Sequence, residues 1–357
     1  MRPESLRLGR ARPDVCLFLV ALASTATGCR HAERASHELF SSSTAERVVS
    51  RADYEVAWTW GSEEDTVLLA PRLIVAAKEG GVFVFDDVSG RVTFFDEAGH
   101  PQWHWGGRGR GPSEFDNVRD MTLNDLGELV VLDSGNRRLV KLSAGGSLLD
   151  QVTIPDVGYV DQVVPLPSSG YLLITYGTPT VVHLAPDGRI EGSFDLPWEH
   201  YAELSAVERQ GSVADFAGKW VYGFKMGDGW FSFAGVDSIG VFPYVEHTPF
   251  PLVSRDESGG VRRTQILENV CSACSLALRA DTLVVHFGGA TEGQFSLLDR
   301  YALSTGHYLG TRRLPIRASN VAIGHDVVFA LDIESLFPRL VALRPSSILS
   351  IASQGTH

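Results

Sequence analysis

Short apolar segments alternate with turn residues along most of the chain, and one strand–turn–strand pattern returns six times. The clearest copy is Leu-Val-Val-Leu-Asp-Ser-Gly-Asn-Arg-Arg-Leu-Val-Lys-Leu at 129–142. Apolar runs of this length, separated by Asp, Ser, Gly and Asn, predict β-strands that are paired in hairpins. The six copies occupy 82–95, 129–142, 171–184, 230–242, 283–301 and 327–343.

The spacing of these copies predicts how they are assembled. They begin at intervals of roughly 40–60 residues, and a four-stranded propeller blade takes about 40–50. A hairpin cannot bury its own apolar face, so the copies must stack on one another. We therefore expect an all-β, six-bladed β-propeller with four-stranded antiparallel blades. The alternative is a two-sheet sandwich built from the same hairpins.

Three segments depart from the regular repeat. The longest intervals predict insertions at 198–219 and 254–274, and 199–210 is the only stretch that suits a helix. The alternating segment Tyr-Glu-Val-Ala-Trp-Thr-Trp at 54–60 precedes the first copy. Because an open ring would leave an unpaired sheet edge, we expect this N-terminal strand to complete the last blade.

The N-terminus has the pattern of a targeting segment. A leader that contains Arg2, Arg7, Arg10 and Arg12 precedes an unbroken apolar run at 15–23. A membrane-spanning helix needs about 20 apolar residues, so this shorter run predicts a secretory signal. The predicted organisation is a signal peptide at 1–28, a flexible Ser-rich tether at 29–51, the propeller at 52–350 and a disordered tail at 351–357.

The end of the apolar run resembles a bacterial lipobox. Small residues lead into Ala-Thr-Gly-Cys at 26–29, where the usual pattern is Leu-Ala/Ser-Gly/Ala-Cys, so the first position departs from it. The resemblance implies that Cys29 is the acylated N-terminus and that the mature protein is held in the cell envelope. Arg30 in place of Asp favours the outer membrane over the inner membrane. The alternative is ordinary secretory cleavage near this position.

The charge balance restricts the possible partners. The formal net charge is −12, and it becomes more negative once the basic leader is removed. A body with this charge repels nucleic acid and anionic lipid surfaces. We therefore expect no nucleic acid among the partners, and membrane attachment only through the lipid.

Two cysteines remain for the folded body, in the sequence Cys271-Ser-Ala-Cys274. A local disulfide suits an oxidising compartment. A zinc site would need two further ligands, and no second pair has ligand spacing. A thioredoxin-like pair normally opens a helix, whereas this one precedes a predicted strand. Haem attachment would need His at 275, which is Ser.

The most specific local signature is Gly-Arg-Gly-Pro-Ser-Glu-Phe at 109–115, followed by Leu-Asp-Ser-Gly-Asn-Arg-Arg-Leu at 132–139. These two runs resemble the NHL-type six-bladed propellers, with Ser113 in place of the third glycine of their pattern. The resemblance implies a structural corner between blades, in which the Glu pairs with nearby backbone or Arg and the Phe packs between blades. The residues it assigns to this corner are Gly109, Gly111, Pro112, Glu114, Phe115, Asn136 and Arg138.

The motifs searched for give no catalytic signature. The sequence contains no Gly-x-Ser-x-Gly elbow, no His-Glu-x-x-His, no P-loop and no EF-hand loop. Asp86, Asp133 and Asp332 recur at the same place in three copies, where they either bond their own turns or converge on a calcium ion in the channel. The favoured function is a non-catalytic binding or scaffold module for protein or glycan. The alternative is a calcium-assisted lactonase- or esterase-like hydrolase.

Overall fold

The computed structural model contains strands and turns, with a single short 3-10 helix, across the residues it describes. The signal peptide, Cys29 and the C-terminal tail lie outside those residues. No helix in the described part of the chain is long and apolar enough to cross a membrane. The described residues are 31–33, 39–40, 45–50, 54–61, 67–167, 170–256, 263–268, 271–289 and 293–346.

The strands follow one another along the chain with short connections. In chain order they are β1 (His31–Glu33), β2 (Val49–Ser50), β3 (Tyr54–Trp60), β4 (Pro71–Ala76), β5 (Val82–Asp86), β6 (Arg91–Phe95), β7 (Pro101–Gly106), β8 (Val118–Leu123), β9 (Leu129–Asp133), β10 (Arg138–Leu142), β11 (Leu148–Thr153), β12 (Val160–Leu166), β13 (Gly170–Thr175), β14 (Val181–Leu184), β15 (Ile190–Phe194), β16 (Gly211–Phe216), β17 (Lys219–Phe224), β18 (Trp230–Ala234), β19 (Asp237–Phe242), β20 (Leu252–Asp256), β21 (Arg263–Glu268), β22 (Ser275–Arg279), β23 (Thr282–Phe287), β24 (Leu297–Ala302), β25 (Tyr308–Arg313), β26 (Ala318–Ile323), β27 (Val328–Asp332) and β28 (Arg339–Pro345).

Six sheets form the blades of a closed ring. Blades one to four are β4–β7, β8–β11, β12–β15 and β16–β19. Blade five is β22–β25 with β2 added at its outer edge, and blade six is β26–β28 with β3. The first strand of each blade contacts the first strand of the next, and β26 contacts β4, so the ring closes around a central channel. The predicted six-bladed propeller is confirmed.

The N-terminal strand closes the ring as the sequence predicted. β3 pairs antiparallel with β28, with Leu340 opposite Trp60 and Pro345 opposite Tyr54. It is the outermost strand of blade six, while β26 is the innermost. The first and last parts of the chain therefore share one sheet.

Burial explains why the middle strands produced the strongest sequence signal. Both faces of a middle strand pack against neighbouring blades, so β5 and β9 are buried at every position. The outer strand β15 is exposed at nearly every position. Six hydrophobic clusters of buried side chains fill the spaces between adjacent blades, one at each interface.

The predicted position of the fourth repeat is wrong for blade four. The copy expected at 230–242 is the outer pair β18 and β19, whereas the inner pair is β16 and β17. The signal of β17 was weakened by Gly223, which interrupts its apolar run. A Cβ at that position would lie 2.3 Å from the Tyr244 hydroxyl, so glycine is required there. The insertion expected at 198–219 therefore contains the inner strand β16 in its second half.

The helix expected at 199–210 is wrong. This stretch contains only a 3-10 helix, Tyr201–Glu203, followed by turns. Leu204 is extended and ends the helix. The Ser205 amide then donates to Glu208 Oε2 at 2.7 Å, and the Glu208 amide donates back to Ser205 Oγ at 3.4 Å. This reciprocal bonding fixes a compact turn instead of a longer helix.

The expected insertion at 254–274 contains part of an additional small sheet. β20 and β21 form an antiparallel hairpin, and β1 pairs with β20 on its other edge. The start of the described chain therefore lies on the connection between blades four and five.

Described residues of the predicted tether contact the propeller. Leu39 packs against the hydrophobic cluster between blades three and four. β2 pairs in parallel with β25, and Arg47 binds both oxygens of Asp299 at 3.1 and 2.7 Å and also binds Glu246. We call residues 45–50 the N-terminal strap. The domain boundaries at 28, 51 and 350 stay predictions.

Candidate binding site at the linker face

One end of the ring carries the connections between blades. We call it the linker face and define it as the end at which the inner strands begin. The second strand of each blade ends there, because it runs antiparallel to the first. The opposite end is closed by short turns such as 96–100 and 143–147. Binding residues concentrate on loops that a rigid scaffold holds, so the linker face is the first place to search. Its connections are 107–117, 154–159, 195–210, 314–317 and the described parts of 61–70 and 243–274.

The three recurring carboxylates all lie on the linker face. Asp86, Asp133 and Asp332 pair with the first residue of the inner strand in blades one, two and six. Asp86 accepts hydrogen bonds from the amides of Leu69 at 2.6 Å and of Ser89 at 2.8 Å. Each carboxylate bonds within its own blade corner, and the structure does not bring the three together.

Asp133 and Asp332, like Asp86, accept hydrogen bonds from backbone amides near their own blade corners. Asp133 accepts hydrogen bonds from the Asp116 and Asn117 amides at 3.1 and 3.3 Å, and Asp332 accepts one from the Glu334 amide at 2.8 Å. These bonds hold the chain that enters or leaves each corner. In the described part of the chain, no group of three or more His, Cys, Asp or Glu side chains is arranged to hold a metal ion.

The glycine-rich signature forms a corner between blades one and two, organised by Arg138 and Asn136. Arg138 donates to Asp133 at 3.1 Å and to the carbonyls of Gly111 and Pro112 at 3.1 and 3.2 Å. Asn136 donates to the Gly109 carbonyl at 3.1 Å and to Asp133 at 2.7 Å. Both side chains therefore serve the fold of the corner.

Glu114 and Phe115 complete this corner. Glu114 Oε2 accepts a hydrogen bond from the Gly111 amide at 2.8 Å. Gly109 has φ +146°, which favours glycine, and a Cβ there would displace the Glu114 carboxylate, whose Oε2 would lie 2.1 Å away. Phe115 is buried and packs edge-on against Phe85 and Trp105, with ring centroids 6.0 and 4.9 Å away.

The cysteine pair lies in the connection between blades four and five. Cys271 and Cys274 are joined as a disulfide. The Cys274 amide donates to the His286 carbonyl at 2.9 Å, which ties the loop to blade five. A Cβ at Gly288 would meet both Cys271 and Cys274, so the loop and blade approach each other closely.

β-Bulges aim polar side chains over the channel mouth. The pairing between the first two strands skips Arg72, Arg119 and Asp161 at the same place in blades one, two and three. Bulges of this kind re-aim a side chain out of the ladder. Arg72 donates to the Val118 carbonyl, Arg119 donates to Asp161, and Asn320 donates to the Arg72 carbonyl at 3.2 Å. These bonds link blades six, one, two and three in series.

Two further hydrogen bonds join other parts of the ring. Ser212 Oγ on blade four donates to the Ala273 carbonyl at 3.1 Å, and the Val321 amide on blade six donates to Ser275 Oγ on blade five at 3.3 Å.

Two tyrosines extend this polar series on blade three. Tyr176 donates its hydroxyl hydrogen to Asp161, and its ring stacks on Tyr159 with centroids 5.5 Å apart. The Arg119 guanidinium lies 5.2 Å from the Tyr159 ring. Burial and then the charge of Asp161 raise the pKa of Tyr176, so it stays a neutral donor.

Two carboxyls inside the channel have raised pKa values. Burial is the main cause, and it brings the pKa of both Asp120 and Asp215 to about 7. The Val163 amide donates to Asp120 at 2.9 Å, and Thr122 Oγ1 donates to Asp215 at 2.9 Å. Thr122 belongs to blade two and Asp215 to blade four, so this last bond crosses the channel.

A cavity opens on the linker face between Tyr176 and the connection from blade three to blade four. Its volume is about 340 Å³. Arg209 lines it although only 8% of its surface is exposed. Its lining also includes Ala202, Glu203, Leu204, Ser205, Ala206 and Thr264.

The Arg209 side chain is only partly satisfied. Its Nη2 donates to the Ala202 carbonyl at 2.7 Å, and its guanidinium lies 5.2 Å from the Tyr201 ring. Its Nε is buried and has no acceptor among the described residues. None of the ion pairs seen in the described chain involves this guanidinium. A buried cation therefore lines the cavity, and the one carboxylate in the described lining, Glu203, pairs with His200.

Arg209, Tyr176 and Asp161 were not predicted as site residues from the sequence. Asp161 had a usable signal, because a charged residue follows the first position of three inner strands, at 72, 119 and 161. Arg209 had none, since it lies in a connection that no other blade repeats.

The comparisons with known proteins agree on the fold. A family model described as a 6-bladed beta-propeller matches residues 63–180, which span blades one and two and half of blade three. The virginiamycin B lyase of Staphylococcus aureus has a TM-score of 0.50 and 11% identity, over 82% of this chain and 99% of that one. This likeness shows the fold alone.

Two further solved structures have lower scores. A protein of unknown function from Bacteroides caccae has a TM-score of 0.42 and 13% identity, over 71% of this chain and 85% of that one. A putative exported protein from Bacteroides fragilis has a TM-score of 0.45 and 10% identity, over 84% of this chain and 99% of that one. The comparison with curated proteins gives no match.

Proposed function

We propose that this chain is a lipid-anchored β-propeller of the bacterial cell envelope, and that it binds a glycan or protein ligand at its linker face without transforming it. The observation that carries the proposal is the cavity of about 340 Å³, which a fixed connection and a buried arginine line. Preformed cavities of roughly 300 Å³ and above are typical of ligand sites.

The polar groups around the channel mouth support binding more than catalysis. Asp161 is bonded by Arg119 and Tyr176, and the three recurring carboxylates hold their own corners. Polar groups that are held in such hydrogen-bond networks rigidify the surface around a ligand site. No specific observation favours the calcium-assisted hydrolase.

The anchoring part of the proposal rests on the sequence of the N-terminus. Cys29 would carry the acyl chains, and the membrane would then be contacted through lipid and not through the anionic body. Metabolic labelling with an alkynyl fatty acid tests this: the full chain becomes labelled and Cys29→Ser does not. Equal labelling of the two proteins would contradict the anchor.

The binding part is tested with ligands from the envelope. The full chain, immobilised from non-ionic detergent, is incubated with fluorescently labelled envelope glycans, with calcium or with a chelator. Retention is expected in both conditions. Ala206→Phe fills the cavity and should abolish retention, whereas Ala98→Phe, in an exposed turn at the opposite end, should retain them as wild type does. If the Ala206→Phe variant still retained the glycans, the cavity would not be their binding site.

A further inference from the structure

We infer that the cavity beside Arg209 binds a sugar acid, a small hydroxylated molecule that carries one carboxylate. This inference rests on the proposed binding function and specifies the ligand class for its glycan alternative.

The first argument is the electrostatic state of Arg209. A guanidinium stays charged at any physiological pH, and burying it without an opposite charge is costly. Arg209 is 8% exposed, its Nε has no acceptor in the described chain, and its one hydrogen bond goes to a neutral carbonyl. A carboxylate in the cavity would supply the missing charge and accept two parallel N–H bonds.

The second argument is that the arginine is held in place before any ligand arrives. The Arg209 amide donates to the Ser205 carbonyl at 3.0 Å, and its carbonyl accepts the hydroxyl of Tyr222, which is buried. Ser205 and Glu208 exchange hydrogen bonds around the same turn. These bonds fix the Arg209 backbone, and the bond from Nη2 to the Ala202 carbonyl holds the side chain, so little conformational entropy is lost when a ligand binds.

The third argument concerns the rest of the ligand. The hydroxyls of Ser205 and Thr264 line the cavity and suit a hydroxylated partner. The Ser205 oxygen accepts the Glu208 amide, so its own hydrogen is left to donate. Tyr176 adds an aromatic side chain to the lining, and Leu204 adds a buried apolar one. Hydroxyl donors, an aromatic ring and one cation together match a sugar acid.

The fourth argument favours a single negative charge. Glu203 also lines the cavity, and its side chain is 59% exposed and pairs with His200 at 3.2 Å. The whole chain carries a net charge of −12. Both features repel a doubly charged phosphate more strongly than a carboxylate.

The test measures binding of D-glucuronate to the full chain in non-ionic detergent by titration calorimetry and saturation-transfer NMR. D-glucose lacks the carboxylate, benzoate lacks the hydroxyls, and inorganic phosphate carries the alternative anion. We expect glucuronate to bind at least about tenfold more tightly than each of these. Equal affinity for glucose, or tighter binding of benzoate or phosphate, would overturn the sugar-acid assignment.

Variants locate the site. Arg209→Gln should weaken glucuronate binding at least about tenfold, because it removes the charge. Ala206→Phe should abolish binding while it leaves Arg209 in place, which covers the case in which Arg209→Gln misfolds. Arg317→Gln alters another linker-face arginine, which lies 5.6 Å from the Phe295 ring, and should leave the affinity unchanged. Unchanged affinity in Arg209→Gln, or in Ala206→Phe, would overturn the inference.

The failures of the two proposals can be told apart. Retention of envelope glycans without glucuronate binding would overturn the sugar-acid inference and leave the binding function standing. Glucuronate binding without retention of any envelope ligand would overturn the proposed envelope function and leave the sugar-acid site standing.

Discussion

At the residue scale, side chains with similar chemistry have very different roles. Arg138 is almost entirely enclosed by carbonyls and Asp133, whereas Arg209 has one carbonyl and a cavity. The two guanidinium groups differ in the hydrogen-bond acceptors that surround them. A satisfied buried arginine stabilises the fold, and a partly satisfied one is available to a ligand.

The hydrogen bonds of Arg138 in the corner between blades one and two predict that Arg138→Ala strongly lowers the unfolding free energy. The Asp133 side chain has no exposed surface and would lose its arginine, and carbonyls of the corner would lose a donor. Removing one partner of a buried ion pair costs about 3–5 kcal/mol of unfolding free energy. Guanidinium denaturation measures it. Arg110→Ala removes an arginine whose side chain is 81% exposed from the same connection and should cost under about 1 kcal/mol. Similar losses in both variants would contradict this account of the corner.

Asp215 predicts a pH-dependent stability. Burial raises its pKa to about 7 in the folded protein, whereas the unfolded carboxyl titrates at about 4. Between those values the folded state holds a proton that the unfolded state has lost. The unfolding free energy therefore falls as the pH rises from about 4 to about 7, and the full penalty is present above that range.

Asp215→Asn should remove this penalty, since an amide oxygen can still accept the Thr122 hydroxyl. Since one pKa unit corresponds to about 1.4 kcal/mol, we expect the unfolding free energy of the variant to exceed that of wild type by up to about 4 kcal/mol at pH 8 and to match it near pH 4.5, as measured by urea unfolding. Asp187→Asn, in an exposed turn where the side chain accepts the Arg189 amide, is the control and should match wild type at both values. A gain for Asp215→Asn that is equal at both pH values would disprove the pKa assignment.

At the scale of elements, the N-terminal strap joins sequence-distant parts of the propeller. Arg47 binds Asp299 on β24 and Glu246 in the connection after blade four, and lies 4.1 Å from the Phe287 ring. Burial by itself would lower the pKa of Arg47, but Asp299 and Glu246 outweigh it and raise the pKa. The strap is thus held by a buried ion pair as well as by the short strand β2.

Arg47→Met should release the strap from blade five. Asp299, whose side chain has no exposed surface, would lose its ion pair and keep, among the described residues, the Thr311 hydroxyl as its side-chain donor. We expect a loss of about 3 kcal/mol or more in unfolding free energy, together with faster amide hydrogen exchange at residues 48–50 and in β25. Arg339→Met, at an exposed position, should change neither measurement. Unchanged exchange in Arg47→Met would show that β2 alone holds the strap.

The elements also show which features the sequence can predict. Middle strands such as β5 and β9 were found because burial on both faces makes them continuously apolar. β17 was missed because Gly223 is needed for the close approach of Tyr244. The strap was missed because Arg47 meets Asp299 across 252 residues of sequence, and no local pattern records such a contact. Arg209 was missed for a related reason, since Thr264 on β21 and Tyr176 just after β13 reach the cavity from distant parts of the sequence.

At the scale of the whole molecule, the ring depends on one strand from the start of the chain. β3 supplies the outer edge of blade six, while β26 of the same blade contacts β4 of blade one. Each interface between blades contains one hydrophobic cluster, so opening the ring would expose the cluster between blades six and one. Trp58 and Trp60 of β3 pack against that cluster.

Deletion of 52–62 should therefore prevent the ring from closing. The deletion leaves β28 as an unpaired edge and removes both tryptophans from the last interface. We expect loss of the cooperative thermal transition in calorimetry and association through the open edge in size-exclusion chromatography. A chain that lacks 351–357, the predicted tail, should melt as the full chain does. A 52–62 deletion that melts normally would show that β3 is dispensable.

The pairing of β1 with β20 limits where the lipid can be. Residue 31 lies two positions after Cys29, and an extended chain covers at most about 7 Å over that distance. Acyl chains on Cys29 would thus emerge beside the hairpin that contributes Thr264 to the cavity. With Cys29 acylated as proposed, this side of the propeller would lie near the bilayer, and ligands at the membrane surface would be within its reach.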